Sequence, residues 1–509
     1  GTGLLAGHIE VSVYVIATLG LYAAGRLITL ATGGAGAGNL AAAARAAASC
    51  LVLVVLGVGL ALVQLLPFSQ VGKLNFRSGT VSYHDVVGFA LKLPQLLAFV
   101  MPNFYGNPTL PATPGWGPKD YVEQAAYVGV LPLLLALATL WYLVVQPRLR
   151  DDGGQPKPAP STDMGPLWCL WAIVAVSLLL AFGTPLYHVI FFNLPGFNQI
   201  HTPFRWLIPY TAAVSLLAGA GFDLLRPHLR HWRFAFSGLA ALALLLLPAW
   251  QRLLVPRLHV PPAYRGLELR NYAIMLALLA LAAAVAWLGA GPEHQQPLAS
   301  PLVSDGLAAD GAAAGPDEPG SSSSTSLRAR AFGPLALLLV LADLIFFGIT
   351  FNTASSTAPL RQTPPAVRFL QRDQSLFRIT AYGRNKLLQP NGAMLYGLQD
   401  ARGYDSVILA RYATFSSLIE PQDQLAFNRV KNLDQPSALD SPLLNLLNVK
   451  YVLTTAPIHD PRERLVFTGP GTLVYQNLAA LPRAFVAPTA RSMVDSAAEL
   501  RALSSPSFN

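Results

Sequence analysis

Charged residues are scarce in this chain. Asp, Glu, Lys and Arg make up 12% of its 509 residues, about half the share found in an ordinary soluble domain. Hydrophobic residues make up 53%, and the mean hydropathy is +0.44. This balance argues against a purely soluble protein and predicts a chain that is embedded in a membrane.

Cysteine is almost absent. The only two cysteines, Cys50 and Cys169, both lie in apolar runs. A disulfide framework needs several cysteines at suitable spacings, and a zinc-type site needs clustered thiolate or imidazole ligands. The sequence therefore supports neither a disulfide scaffold nor a thiolate metal site.

The start of the chain lacks the features of a secretory signal peptide. GTGLLAGHIEVSVY has no initiator Met, no basic segment and no small-residue cleavage site. We therefore expect the sequence to begin inside a larger protein. The formal net charge of +9 does not predict a nucleic-acid partner, because no stretch interleaves Lys or Arg with aromatic residues expected to be exposed. Basic residues that flank membrane spans explain the charge better.

Apolar runs of membrane-spanning length are abundant. A span needs about 20 predominantly apolar residues. We predict about eight transmembrane helices, near residues 10–30, 45–66, 124–145, 166–184, 204–224, 232–250, 271–290 and 331–351. The fold class is thus a polytopic α-helical membrane protein, with a helical region over 1–290 and a further span at 331–351.

Two long connections interrupt the spans. The outer loop 67–123 contains an amphipathic stretch that its prolines prevent from spanning, and we expect it at the outer interface. Its aromatic residues Phe99, Phe104, Tyr105 and Trp116 are predicted to lie at headgroup depth. Residues 291–330 are rich in Gly, Ala, Ser and Pro without periodicity, which predicts a disordered cytoplasmic linker.

From residue 352 onward the pattern changes to short strands and helices. SLFRITAYG and VKYVLTT are typical of strands, and RLVFTGPGTLVYQN predicts two strands around a Gly-Pro-Gly turn. Ser441 followed by Pro442 predicts a helix start, and SMVDSAAELRALSS is a second helix candidate. We predict a small mixed α/β domain over 352–509, placed outside the cytoplasm by the number of preceding spans.

The Lys and Arg residues near the span ends predict the orientation, with one exception. If the start of the chain lies outside, most of these residues fall on the opposite side of the membrane. That side is then the cytoplasmic one. The segment 251–270 instead places four arginines on the outer side: Arg252, Arg257, Arg265 and Arg270. Either this segment binds an anionic group there, or one of the predicted spans is wrong.

Six motifs occur in a defined order along the chain. They are AGHIEVSVY, EQAAYVGVLPLLLAL, LPGFNQIHTPFRWLIPYTAAVSLLAGAGFDLL, PNGAMLYGLQDARGYDSVILARY, LLNLLNVKYVLTT and LPRAFVAP. Each motif alone has little specificity, but their succession is more specific. With this succession the chain resembles the bacterial YfhO family of membrane proteins, whose members are similar to C-type (GT-C) glycosyltransferases. The resemblance covers nearly the whole chain except the linker.

The resemblance implies an enzyme of the bacterial cytoplasmic membrane. Such an enzyme takes a sugar from a polyprenyl-phosphate carrier and passes it, outside the cytoplasm, to a cell-envelope polymer such as a teichoic acid or another surface glycan. Enzymes of that fold carry an acidic catalytic residue in the first outer loop, which implies a catalytic acid upstream of Gly1 in a segment that this sequence lacks. The outer domain is also expected to continue beyond the end of this sequence.

Arg205 is the first candidate for binding the substrate. Glycosyl transfer needs a carboxylate to deprotonate the acceptor hydroxyl and a cation to stabilise the departing phosphate. Arg205 lies at the predicted outer end of a span, close to His201, and a planar guanidinium suits phosphate. The alternative is that Arg205 extends to the interface, as arginines at span ends commonly do.

His8, Glu10 and Glu123 are further candidates near predicted span ends. On a helix, His8 and Glu10 would point about 200° apart, so a shared metal ion is not favoured. Each of the three residues belongs either to a substrate pocket or to a hydrogen-bonded polar rim at the interface, and the rim is the simpler interpretation. No cofactor is predicted, and a divalent metal ion is left open.

The C-terminal domain has a polar, Gly-rich stretch over 391–411. Its candidates for sugar binding are Asn391, Tyr396, Arg402, Tyr404 and Asp405. A structural role, with Arg402 and Asp405 hydrogen-bonded internally, is equally open. Asp343, inside a predicted span, must find a partner because an unpaired carboxylate in lipid is costly.

A non-catalytic membrane scaffold or a lipid or sugar transporter is the alternative function. A transporter would favour paired charges, broken helices and internal repeats. The sequence shows no repeat. In either case the bilayer is one partner of the chain.

Overall fold

The computed structural model describes residues 2–5, 9–32, 37–76, 82–109, 121–144, 164–194, 197, 202–290, 322–349, 351, 356–358, 362–423, 425, 428–505 and 508. The chain forms two compact units. The helical unit comprises Gly1–Ala61 and Val81–Thr353, and the C-terminal unit comprises Leu62–Thr80 and Ala354–Asn509.

Long helices dominate the first unit. They are α1 (Ile9–Thr32), α2 (Ala37–Lys73), α3 (Val130–Val144), α4 (Gly165–Ala181), α5 (Pro185–Asn193), α6 (Leu207–Leu225), α7 (Leu229–Ala249), α8 (Arg265–Gly289) and α9 (Ser322–Gly348). Shorter pieces lie between them: α-helical turns at Thr2–Leu5, Tyr83–Val87 and Val255–Arg257, 3₁₀ helices at Leu93–Phe99, Pro203–Trp206, Arg226–His228 and Pro262–Tyr264, and a π-helix at Trp250–Leu254. Helix α2 contributes to both units, because the boundary falls between Ala61 and Leu62.

Six helices in the described part of the chain are long and apolar enough to cross a membrane. They are Glu10–Thr32, Leu40–Lys73, Pro203–Leu225, His231–Arg257, Pro262–Gly289 and Ala331–Gly348. All six overlap predicted spans. The predicted predominantly helical class, with several helices that could span a membrane, is therefore confirmed.

One of the other two predicted spans is a shorter helix. The prediction was 124–145, whereas α3 begins only at Val130 and has 15 residues. Gly129 adopts a φ of 95°, which a right-handed helix does not contain. The carboxylate of Asp343 accepts a hydrogen bond from the Val130 N–H at 3.0 Å and so caps the first turn of α3. These contacts explain the later start of the helix.

The remaining predicted span, 166–184, is part of a broken helix. Helix α4 ends at Ala181, and α5 begins at Pro185 after a bend of 85°. Gly183 in the bend has a φ of 60°, and a Cβ there would lie 2.8 Å from the Cβ of Ala90. Only glycine suits this position. The described residues contain six candidate spans, or seven if the bent pair forms one, so the predicted number of about eight stays a prediction.

The core of the helical unit is built around α1, α3, α4 and α6. Tyr14, Leu180 and Leu217 are almost completely buried in one apolar cluster. Helices α3 and α6 approach closely at Gly221, where a Cβ would lie 2.0 Å from the carbonyl oxygen of Leu135. Larger residues at this position would therefore separate the two helices.

The predicted outer loop is partly helical and partly buried. Helix α2 continues to Lys73, beyond the predicted loop start at 67. Phe99 and Phe104 are buried in the helical unit rather than exposed on its surface, and Phe104 packs edge-on against Trp250. Trp116 lies outside the described residues.

The predicted linker 291–330 is described only in its last part. Residues 291–321 lie outside the described residues, and α9 begins at Ser322. The end of the predicted linker is therefore helical.

The C-terminal unit contains two small sheets. Their strands are β1 (Arg378–Ala381), β2 (Gly403–Tyr404), β3 (Arg429–Val430), β4 (Val449–Thr454), β5 (Glu463–Gly469) and β6 (Thr472–Asn477), and the helices are α10 (Pro365–Leu370), α11 (Ala410–Ile419), α12 (Pro436–Leu439), α13 (Pro442–Leu446) and α14 (Ser496–Leu503). The larger sheet has the order β1-β4-β6-β5, with β1 and β4 parallel and the other pairs antiparallel, while β2 and β3 form an antiparallel pair.

Strand β4 lies inside the larger sheet, and both of its faces are covered. Tyr451 and Leu453 belong to one buried cluster and Val452 to another, because neighbouring residues of a strand point to opposite faces. The predicted hairpin is confirmed at β5 and β6. Pro470 and Gly471 form its turn, and Gly471 has the positive φ, 66°, that a glycine after proline supplies.

The end of α2 is hydrogen-bonded into the C-terminal unit. The N–H of Phe76 donates to the carbonyl of Ile408 at 2.9 Å, and the N–H of Ala410 donates to the carbonyl of Leu74 at 2.8 Å. The Phe76 ring packs against Ile408 and Val430. The described residues 62–76 therefore belong to this unit through these contacts.

Candidate functional site

Three of the predicted site residues lie in direct contact in the helical unit. Glu10 is in the first turn of α1, Arg205 is in the 3₁₀ helix that leads into α6, and Glu123 lies in the turn before α3. We call Glu10, Arg205 and Glu123 the carboxylate–arginine cluster. The sequence predicted each residue separately and did not predict their contact.

The guanidinium of Arg205 bridges the two carboxylates. Its Nη2 donates to Glu123 Oε1 at 2.7 Å, and its Nε donates to Glu123 Oε2 at 3.3 Å, which is a two-point contact. Its Nη1 donates to Glu10 Oε2. Three of the five N–H bonds of the guanidinium are thus used within the cluster.

Glu10 is held more firmly than Glu123. The second oxygen of Glu10 accepts hydrogen bonds from the Tyr14 hydroxyl and from the Thr202 hydroxyl, each at 3.2 Å. The Tyr14 ring is itself buried and packs edge-on against Trp206, with 5.2 Å between ring centroids. Among the described residues, Glu123 forms hydrogen bonds and an ion pair only with Arg205. The cluster therefore has one fixed carboxylate and one with more freedom.

The cluster is only partly buried. The exposed fractions of the side chains are 19% for Glu10, 21% for Arg205 and 37% for Glu123. With both carboxylates ionised the cluster carries a formal charge of −1, so Arg205 is not a free cation in this arrangement. A phosphate that replaces Glu123 would take over its two-point contact with the guanidinium.

His8 and His201 cannot be placed in this site. Both residues lie outside the described residues. Their predicted roles stay predictions.

The candidates of the C-terminal unit do not converge on one site. Arg402 is buried, and its side chain is almost fully enclosed. Its guanidinium binds Asp400 through two hydrogen bonds, of 2.7 and 3.0 Å, and also donates to Asn432 and to the Leu388 carbonyl, both at 2.6 Å. The sequence left open whether Arg402 binds sugar or is hydrogen-bonded internally. The structure shows the internal hydrogen bonds.

The other candidates in this stretch bond mainly to backbone. The side-chain amide of Asn391 donates to the Tyr404 carbonyl at 2.6 Å and accepts from the Tyr404 N–H at 3.1 Å. Asp405 accepts from the Val407 N–H at 2.9 Å. Tyr396 is half-buried and packs beside the core of the sheet, whereas the Tyr404 ring is 51% exposed. Arg429 lies over the Tyr404 ring, with its guanidinium carbon 5.8 Å from the ring centroid, so the aromatic face is not free.

Asp343 has the partners that the sequence required. Its carboxylate accepts from the Tyr127 hydroxyl at 2.6 Å as well as from the Val130 N–H. Since both oxygens are satisfied by groups near the start of α3, a structural role as helix cap explains this residue.

Besides Glu420, which is 2% exposed, sequence reasoning missed two other buried carboxylates. Glu268 in α8 is 1% exposed and accepts from the Trp250 indole and from the Gln251 side chain. In the C-terminal unit, burial and the nearby Asp460 raise the pKa of Glu463 to about 7. No charge pattern in the sequence marks either residue as buried.

No metal centre is found in the described residues, which hold no group of three or more His, Cys, Asp or Glu in a position to bind a metal ion.

The comparisons with known proteins give no assignment of family or function. No family model, no curated protein and no solved structure matches the chain. The functional interpretation therefore rests on the site geometry and on the motif resemblance.

Proposed function

We propose that the protein is a GT-C-type glycosyltransferase of the bacterial cytoplasmic membrane. It transfers a sugar from a polyprenyl-phosphate carrier to a cell-envelope polymer, with about eight spans and with the C-terminal unit outside the cytoplasm. The observation that carries this proposal is the carboxylate–arginine cluster, in which acidic groups and a guanidinium meet near the ends of apolar helices.

The cluster contains the two kinds of group that the reaction needs. The acceptor hydroxyl oxygen forms a bond to C1 of the sugar while the bond from C1 to the carrier phosphate breaks, and the electron pair leaves with the phosphate. A guanidinium stabilises the negative charge that develops on the phosphate. A carboxylate accepts the hydroxyl proton.

An exchange of partners at Arg205 would link these two roles. Carboxylate and phosphate both fit the two-point geometry of a guanidinium. Phosphate that takes the place of Glu123 on Arg205 frees this exposed carboxylate, while Glu10 keeps the guanidinium in position through its bonds to Tyr14 and Thr202. Glu123 is then the candidate base within this chain, as an alternative to the upstream acid that the resemblance implies.

Substitution at Arg205 is the primary test. Liposomes with the full-length protein would receive a radiolabelled polyprenyl-phosphate sugar and the acceptor polymer. We expect Arg205→Ala to lower the transfer rate by about a hundredfold or more, because it removes the donors to the phosphate. Arg205→Lys should restore only part of the rate, since lysine lacks the two-point geometry. Unchanged transfer by Arg205→Ala would overturn the role of this residue.

Two further variants complete the test. Arg45→Ala removes an exposed arginine from α2 and should leave the rate unchanged. Glu123→Gln separates the two candidate bases. Loss of transfer supports Glu123 as the base, whereas full activity assigns the base to a residue other than Glu123.

A transporter of lipid-linked sugar is the second candidate. The 85° break between α4 and α5 favours it, because transporters commonly build their substrate sites at discontinuous helices. The same liposomes without acceptor polymer distinguish the two functions. A transporter moves the labelled lipid between the leaflets, whereas a transferase leaves it in place until acceptor is added.

A further inference from the structure

The connection between α7 and α8 carries a dense group of exposed arginines. We call these the arginine belt: Arg252, Arg257, Arg265 and Arg270. All of them are exposed, and none forms an ion pair with a described residue. Each pair is five residues apart on its helical segment, a rise of about 7.5 Å, so the belt stays close to the end of the helical hairpin.

The hairpin that carries the belt is firmly fixed. On its inner side, Glu268 accepts hydrogen bonds from the indole of Trp250 and from the side chain of Gln251, the latter at 3.1 and 3.2 Å. The Tyr272 hydroxyl in α8 donates to the Ala243 carbonyl in α7 at 2.7 Å. These contacts join the two helices close to the connection that carries the belt.

Glu268 does not neutralise the belt. It is the only acidic residue in 251–270, and it is 1% exposed. The outer surface of the connection therefore carries a formal charge of +4 from the belt. Arg205, at another predicted span end, shows the opposite arrangement, because two carboxylates bind its guanidinium.

Apolar side chains accompany the arginines. Leu253, Leu254 and Leu269 are 55%, 43% and 46% exposed, and they lie next to the belt in sequence. A partner that fits this surface must offer both hydrocarbon and anionic oxygen atoms. Phospholipids with an anionic headgroup have both properties, whereas a free anion would not explain the exposed leucines.

We infer that the arginine belt binds the phosphate headgroups of anionic phospholipids. The guanidinium groups contact the phosphate oxygens, and the leucines lie against the acyl chains. The sequence leaves two alternatives open for 251–270: the binding of an anionic group, or an error in the predicted spans. The inferred lipid binding corresponds to the first. The inference does not depend on the proposed glycosyl transfer.

Lipid retention tests the inference. The protein would be placed in nanodiscs of phosphatidylcholine with a minor fraction of phosphatidylglycerol, and the phosphatidylglycerol that stays bound after extraction would be counted by native mass spectrometry. Loss of one arginine is expected to lower the affinity about fivefold. A variant with all four belt arginines changed to Gln should therefore lose the enrichment of phosphatidylglycerol almost completely.

Matched controls separate the belt from total charge. A control variant changes four exposed arginines of the C-terminal unit to Gln: Arg372, Arg384, Arg491 and Arg501. It should retain phosphatidylglycerol like the unmodified protein. Changing the belt to Lys keeps the charge, so most of the enrichment should return. Equal retention by the belt variant and by the control variant would overturn the inference.

Competition with a soluble anion identifies the ligand class. Inorganic phosphate, added at constant ionic strength, should displace little phosphatidylglycerol if the acyl chains contribute to binding. Complete displacement by inorganic phosphate would mean that the belt is a site for a free anion. That result would overturn the assignment to lipid.

Discussion

Arg205 in the helical unit and Arg402 in the C-terminal unit both bind a carboxylate through two hydrogen bonds, but they differ in every other respect. Arg402 binds Asp400, two residues away in sequence, and both side chains are at most 5% exposed. Arg205 binds residues 82 and 195 positions away, and the side chains of its cluster are 19% to 37% exposed.

The difference separates a structural ion pair from a candidate site. Arg402 also donates to Asn432 and to the Leu388 carbonyl, so the pair holds the loop in place from the inside. The cluster at Arg205 retains unused donors and a carboxylate that water can reach. Loss of the first pair should thus affect folding, and loss of the second should mainly affect activity.

The largest effect is expected for Arg402→Leu. It leaves the Asp400 carboxylate buried without a cation, which costs about 3–5 kcal/mol of unfolding free energy. Hydrogen exchange of β4 in the full-length protein, followed by mass spectrometry, would show the loss as reduced protection. Asp400→Asn combined with Arg402→Leu removes the unpaired charge and should recover part of the protection. Unchanged protection in Arg402→Leu would contradict the structural role.

An intermediate effect is expected at Asp373, which lies between these extremes. Its side chain is 20% exposed, and it accepts hydrogen bonds from Lys450 at 2.5 Å and from the Tyr451 hydroxyl at 2.8 Å. Burial alone would raise the pKa of Asp373, but the hydrogen bonds from Lys450, Ser375 and Tyr451 outweigh it and hold the pKa well below its usual range.

The depressed pKa of Asp373 predicts the direction of a pH effect. The pair stabilises the fold above the unfolded-state pKa of about 4, and this contribution is lost as the pH falls through the lower folded-state pKa. At pH 6, Asp373→Asn should cost about 1–2 kcal/mol, and the difference from the unmodified protein should shrink as the pH is lowered below about 4. Hydrogen-exchange protection factors of β4 would measure it, and a difference independent of pH would refute this explanation.

The smallest effect on stability is expected for Arg205→Ala. Water can solvate Glu10 and Glu123 once the cation is lost, so the cost should stay at or below about 1 kcal/mol. The thermal unfolding midpoint in detergent, read from the tryptophan fluorescence of the helical unit, would measure it. A loss of stability as large as that of Arg402→Leu would make Arg205 a structural residue like Arg402. It would remove the contrast on which the proposed site depends.

Local patterns predicted most of the secondary structure. Apolar runs of sufficient length marked the spans, and the glycine after Pro470 marked the hairpin, because both signals depend on neighbouring residues. The late start of α3 was not predictable, since it depends on Asp343, which lies 213 positions from Val130. Contacts at that separation leave no trace in a single sequence.

The candidate site was predicted in parts. Charged residues at the ends of apolar runs are rare, and this rarity marks Glu10, Glu123 and Arg205 as candidate site residues. Their mutual contact depends on how the helices pack, and no local pattern encodes it. In the C-terminal unit the same polar signal selected Arg402, whose enclosed position only the structure reveals.

The end of α2 has a consequence for the synthesis of the protein. Phe76 and its neighbours pair with Ile408 and Ala410, and roughly 270 residues separate the two parts of the C-terminal unit in the chain. At about 5–20 residues per second, a ribosome needs on the order of tens of seconds to make the intervening chain. During that time the first part of the unit has left the ribosome without its partner, so the two parts can pair only after the spans between them have been made.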